Sequence, residues 1–148
     1  MVEIEVHGTI DAPVSTVWAL LADAASWSRW SAFTASSLER PAPGPDADGI
    51  GAIRRFQSRF ATSIEEVVAF DPPRHLGYVL LSGMPIRDYR ADVTLVPSAA
   101  GGTELIWRST FRAKLPGTGH LIGFGLRRFI RDLVADLGTE AARLPARA

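Results

Sequence analysis

The chain has 148 residues, 47% hydrophobic and 22% charged, with 16 basic and 16 acidic side chains and no cysteine. That length suggests a single domain over 1–148, which can bury about 68–70% of the surface its unfolded chain exposes. Balanced charge argues against general attraction to nucleic acid, and the lack of cysteine excludes disulfides, thiolate nucleophiles and Cys-based metal sites.

Met1-Val2-Glu3-Ile4-Glu5-Val6 has no basic region followed by an apolar run, so it does not read as a signal peptide. No stretch approaches the roughly 18 consecutive apolar residues of a membrane span. The expectation is a cytoplasmic protein. Residues 2–10 alternate, with Val2, Ile4, Val6 and Ile10 on one face and Glu3, Glu5, His7 and Thr9 on the other, the pattern of a half-buried strand. A helix over 13–23 follows, opening on Pro13, whose missing N–H costs nothing at the first helical position. Val17, Leu20 and Leu21 recur along it at helical spacing, with Trp18 broadening the stripe. Ser26 is placed to cap a short turn of helix over 26–30 that carries Trp27 and Trp30.

A second strand is expected over 34–40, and the Pro- and Gly-rich stretch 41–49 is loop. Strands then follow over 51–60, 63–70, 75–82, 87–96 and 103–113, separated by turn signals such as Asp71-Pro72-Pro73, Gly83-Met84-Pro85 and Gly101-Gly102. Such short connections favour antiparallel neighbours. Arg54, Arg55 and Arg59 suggest a local basic patch. A long helix closes the chain over 118–144, its apolar stripe formed by Ile122, Leu126, Ile130, Leu133, Leu137 and Leu144, joined by Phe129 and Ala141. Leu121 and Phe124 fall off that stripe. They mark a partner contact, a dimer contact or a lid, or they cover the loop at 41–49.

Side-chain alternation identifies faces. On 103–113, Leu105, Trp107, Ser109 and Phe111 share an apolar face. On 87–96, Tyr89, Ala91, Val93 and Leu95 share one, and simple parity adds Arg87. The three strands over 51–82 are less decisive; Phe56 and Tyr78 are read as inward. Polar groups on such a face stand out, because burying them costs free energy unless they are paired. Arg87, Tyr89, Ser109 and Glu65 are those groups, with Glu65–Arg87 as a candidate buried couple. His7, His75 and His120 match no metal-ligand spacing, so no metal is expected. No serine stands in a nucleophile-elbow context, and no phosphate-cradling loop is present.

The run Ile10-Asp11-Ala12-Pro13-Val14-Ser15-Thr16-Val17-Trp18, with Asp23 and Trp30, resembles the opening of the START-like (SRPBCC) superfamily, which includes polyketide cyclases/dehydrases and lipid-transfer domains. Glu65-Glu66-Val67 leading to Asp71-Pro72-Pro73-Arg74, Gly102-Thr103-Glu104-Leu105 with Trp107, and Leu115-Pro116-Gly117 extend the likeness over nearly the whole chain. The resemblance implies an α+β helix-grip fold: a curved antiparallel sheet of six or seven strands wrapped around the C-terminal helix, with two short helices after the first strand. It implies a hydrophobic or amphipathic small molecule bound between sheet and helix, with no cofactor, in a monomer or homodimer. Candidate ligand-binding residues are then Trp30, Phe56, Tyr78, Tyr89, Val93, Leu105, Trp107, Ser109, Phe111 and Ile122. An enzyme of this kind, acting by cyclisation, dehydration or isomerisation, would draw on Arg87, Tyr89 and His120, the last near the cavity mouth. A third reading is a partner-binding regulatory module.

Overall fold

A computed structural model describes residues 1–145. Strand β1 (Val2–Ile10) buries Ile4, Val6 and Ile10 and exposes Glu3, Glu5, His7 and Thr9, as its alternation predicts. Helix α1 (Val14–Ala22) starts one residue later than the sequence suggests. Pro13 is its N-cap, with extended ψ of 153°, and its carbonyl accepts the first bonds from Thr16 and Val17 at 3.0 and 3.2 Å. A single 3-10 turn (Ala24–Ser26) leads into α2 (Trp27–Trp30). Ser26 does not cap α2 with its side chain. Its hydroxyl is instead buried 2.9 Å from the Leu20 carbonyl and accepts from Trp30 Nε1 at 3.2 Å, so it ties α2 back to α1.

The remaining strands are β2 (Ala35–Arg40), β3 (Ile53–Gln57), β4 (Thr62–Asp71), β5 (His75–Ser82), β6 (Ile86–Pro97) and β7 (Thr103–Ala113). They form one curved antiparallel sheet of seven strands in the order β1-β7-β6-β5-β4-β3-β2. The two strands nearest the N-terminus thus lie at opposite edges, and α1 and α2 span between them. The Thr103 hydroxyl donates to the Ala12 carbonyl at 2.8 Å, fastening the start of β7 to the turn after β1.

Helix α3 (Gly119–Arg143) lies along the concave face. Leu126, Ile130, Leu133, Leu137 and Ala141 are buried, with Val134 beside them, while Ile122, Phe129 and Leu144 are partly covered. The helix crosses β1 closely at Gly8, where an added Cβ would meet Val134 Cγ1 at 2.5 Å. Leu121 and Phe124 do not cover the 41–49 loop; they are 76% and 71% exposed. That loop is held elsewhere, by the Ala24 N–H donating to the Asp48 carboxylate at 3.2 Å.

Simple alternation fails once at a site residue. The β6–β7 register shifts between Arg87 and Arg90, and Asp88 takes the left-handed φ of 54° within that bulge. An extra residue in one strand leaves two residues against one on its partner and bends the strand locally. Ile86 and Tyr89 therefore both point inward, three positions apart, while Arg87 is exposed. The expected Glu65–Arg87 couple does not form.

Candidate functional site

The concave faces of β4, β5 and β6 supply Glu65, Tyr78 and Tyr89, and α3 faces them with Ile122, Leu126, Phe129, Ile130 and Leu133. Between them lies a cavity of about 320 Å³. Its mouth is edged by Ser58 and Ala61 from the β3–β4 turn, by Gly83 and Met84 from the β5–β6 turn, and by Phe33. Trp27 closes the far wall. A wider concavity of about 650 Å³ runs where β1 passes α3, lined by Glu5, His7, Arg127 and Arg131 among others. It is an open groove of mixed lining, in which Val6, Ile10 and Val134 alternate with charged side chains, and it does not enclose a ligand as a small-molecule site does.

Beneath the cavity sits the least expected group in the protein. Arg54 is fully buried, because it shares strand parity with Phe56 and faces inward with it. Its Nη2 donates to Glu65 Oε1 at 2.7 Å, across a β3–β4 register that sets the two residues opposite each other. Three rings surround the guanidinium: Cζ lies 4.9 Å from the Trp27 ring centroid, 4.9 Å from Phe56 and 4.7 Å from Tyr78. A desolvated cation over an aromatic face gains about 2 kcal/mol. That helps offset the cost of taking the ion from water, which a single carboxylate seldom repays fully. Arg54 Nε and Nη1 have no hydrogen-bond partner, nor does the buried Trp107 Nε1. Arg54 accordingly belongs to no basic surface patch.

Glu65 reaches the cavity. Burial pushes its carboxyl above its ordinary value, and the charge and hydrogen bond of Arg54 pull it part of the way back. The Tyr89 hydroxyl and Ser109 Oγ are hydrogen-bonded at 3.0 Å. Burial raises the Tyr89 phenol to about 12, with the Ser109 bond opposing, and holds Tyr78 well above its ordinary value too. Both tyrosines are therefore neutral at physiological pH, able to donate a hydrogen bond but unable to act as phenolate bases.

Of the residues singled out from the sequence, Tyr78, Tyr89 and Ile122 line this cavity. Trp30, Phe56, Val93, Leu105, Trp107 and Phe111 are buried in the core around it, and Ser109 stands behind Tyr89. Trp30 packs on Trp27 with centroids 5.1 Å apart. Arg87 and His120 come together on the outside, where they line a separate cleft with Arg112. They do not converge with Tyr89 on one point. Sequence reasoning missed Arg54, Trp27, Phe33 and Met84. Parity with Phe56 was a signal for Arg54; the turn residues at the mouth had none. Among the described residues no three His, Asp or Glu side chains group as metal ligands, and no helix is long and apolar enough to cross a membrane.

The family of polyketide cyclase/dehydrase and lipid transport proteins matches residues 1–142. Comparison with curated proteins returns no significant match. Among solved structures, a START superfamily protein from Mycobacterium smegmatis aligns with a TM-score of 0.82 at 15% identity, covering 97% of this chain and 99% of the other. A solution structure from Thermobifida fusca aligns at 0.77 with 24% identity, covering 100% and 98%. The protein XoxI from Bacillus cereus aligns at 0.80 with 17% identity and 97% of both chains. These likenesses show a shared fold. The chain belongs to the polyketide cyclase/dehydrase and lipid transport family.

Proposed function

We propose that this family member binds a small hydrophobic or amphipathic molecule in the cavity between its sheet and α3. One observation carries the reading: an apolar space of about 320 Å³ with only a few polar groups, Glu65 and the two tyrosines foremost, gathered on its sheet side. Binding pockets in general combine apolar walls with a few oriented polar groups, and occupy about 300–1,000 Å³. The volume stands near the bottom of that range, which favours a single chain or a compact ring system over a two-chain lipid. Native mass spectrometry of freshly purified protein, beside a denatured sample, tests the reading. A released molecule of defined mass is the expected result. If the protein also fails to bind every apolar probe offered to it, the reading is wrong.

A second reading, a partner-binding module, rests on the exposure of Leu121 and Phe124 on the outer side of α3. It requires a complex or a dimer that Leu121→Ser and Phe124→Ser dissolve. A monomer in native spectra that captures nothing through this face would dismiss it.

A further inference from the structure

Among the described residues lining the cavity, Glu65 carries the only charge. Arg54 holds its Oε1 from behind and does not itself reach the cavity wall. No donor from the described residues engages Oε2. Tyr89 is already bonded to Ser109, and the Tyr78 hydroxyl is engaged with Tyr89. The strongest unused hydrogen-bonding group facing a ligand is thus an acceptor. We infer, resting on the binding reading above, that the ligand is a neutral apolar molecule whose buried end is a hydrogen-bond donor, a hydroxyl or N–H, given to the Glu65 carboxylate.

The alternatives meet specific obstacles. A carboxylate would place a second anion beside Glu65 in a site shielded from water, where like charges repel strongly. An ammonium would enter a site where Arg54 has already balanced Glu65, and would bring its own desolvation cost with no net charge to meet it. An ether or hydrocarbon of the same length would fill the space but leave the carboxylate oxygen without a donor, and such unmade bonds are what polar sites discriminate against most sharply.

A matched panel tests this: decanol, decanoate, decylammonium and methyl nonyl ether, each titrated against the neutral dye N-phenyl-naphthylamine bound to the full chain at about pH 8, where decanoate is ionised. Decanol should displace the dye with an affinity at least tenfold above each of the other three. In the double variant Arg54→Met/Glu65→Leu, which removes the acceptor without stranding a buried charge, the alcohol and the ether should bind within about threefold of each other. Decanoate or ether binding as tightly as decanol overturns the inference and leaves the binding reading intact. So does a folded double variant that keeps the alcohol preference. If that variant does not fold, the wild-type panel decides alone. Failure of the dye and of all four probes to bind overturns the binding reading itself.

Discussion

Losing either member of the Arg54–Glu65 pair should destabilise the protein, with opposite sensitivity to pH. Arg54 has no solvent exposure, and a guanidinium does not deprotonate in proteins. Glu65→Leu therefore strands a buried cation, at a cost of about 3–5 kcal/mol. For a domain of this size that corresponds to a Tm lowered by roughly 6–20 °C. Because the carboxyl it removes stands above its ordinary value in the folded wild type, that loss should shrink, not grow, from pH 5 to pH 7. Arg54→Met strands a carboxylate, which has an escape: it can take up a proton. Burial already holds the Glu65 carboxyl above its ordinary value, and without Arg54 it must rise further. Protonation from an ordinary value near 4.3 costs about 1.4 kcal/mol per pH unit, so this route caps the charge penalty at about 1 kcal/mol at pH 5 and about 4 kcal/mol at pH 7. The sign follows from linkage. A carboxyl with a raised folded-state value contributes its full stability below the unfolded value and loses it as pH climbs through the folded one. Arg54→Met should thus stand close to wild type at pH 5 and approach the Glu65→Leu deficit by pH 7. The double variant Arg54→Met/Glu65→Leu should regain most of what Glu65→Leu loses, ending within about 1.5 kcal/mol of wild type. Urea unfolding followed by tryptophan fluorescence at both pH values measures all four proteins. Additive single costs, or an Arg54→Met deficit unchanged between pH 5 and pH 7, would refute the reasoning.

Two further outcomes are expected. The chain has only two tyrosines, both buried, and burial raises Tyr89 to about 12 and Tyr78 well above its ordinary value. Native protein at pH 10 should therefore show no phenolate absorbance, whereas urea-unfolded protein shows it; the stability held by these neutral phenols should fall as pH rises from about 10 through the folded values. Phenolate absorbance from native protein at pH 10 would contradict the burial. Gly8→Ala should cost about 1–3 kcal/mol by pushing a methyl group into Val134, and Val134→Ala should recover part of that in the double variant. A neutral Gly8→Ala would mean that α3 and β1 are not packed as closely as described.

Much of the architecture was legible because it depends on period alone. The alternation of β1, the inner face of β7 from Leu105 to Phe111 and the stripe of α3 are local patterns that one hydrophobic face imposes. Arg87 defeated the same logic because one extra residue in β6 flips everything before it to the other side, and nothing in Ile86-Arg87-Asp88-Tyr89 announces a bulge. Arg54 was harder for another reason. A charged residue on a strand reads as outward until its partner is known, and that partner sits on the next strand in a register only the folded sheet specifies. The cavity wall is a matter of small gaps between packed side chains. Alternation says that Trp107 and Phe111 point inward but not that Trp27, Leu126 and Leu133 fill the space in front of them.

The strand order also bears on how the chain comes to be folded. Six of the seven strands pair with a neighbour reached by a turn or a single loop, but β1 pairs only with β7, Gly8 standing opposite Leu105. Contacts so distant in sequence carry a high loop-closure entropy and slow folding. As the chain leaves the ribosome, β1 is complete long before residue 103 exists, and α3, which covers it, comes later still. Strand β1 must therefore wait, its Ile4, Val6 and Ile10 uncovered, until β7 and α3 have followed. Glu3 and Glu5, alternating with those apolar side chains, set like charges along the waiting edge and oppose its pairing with another copy of itself.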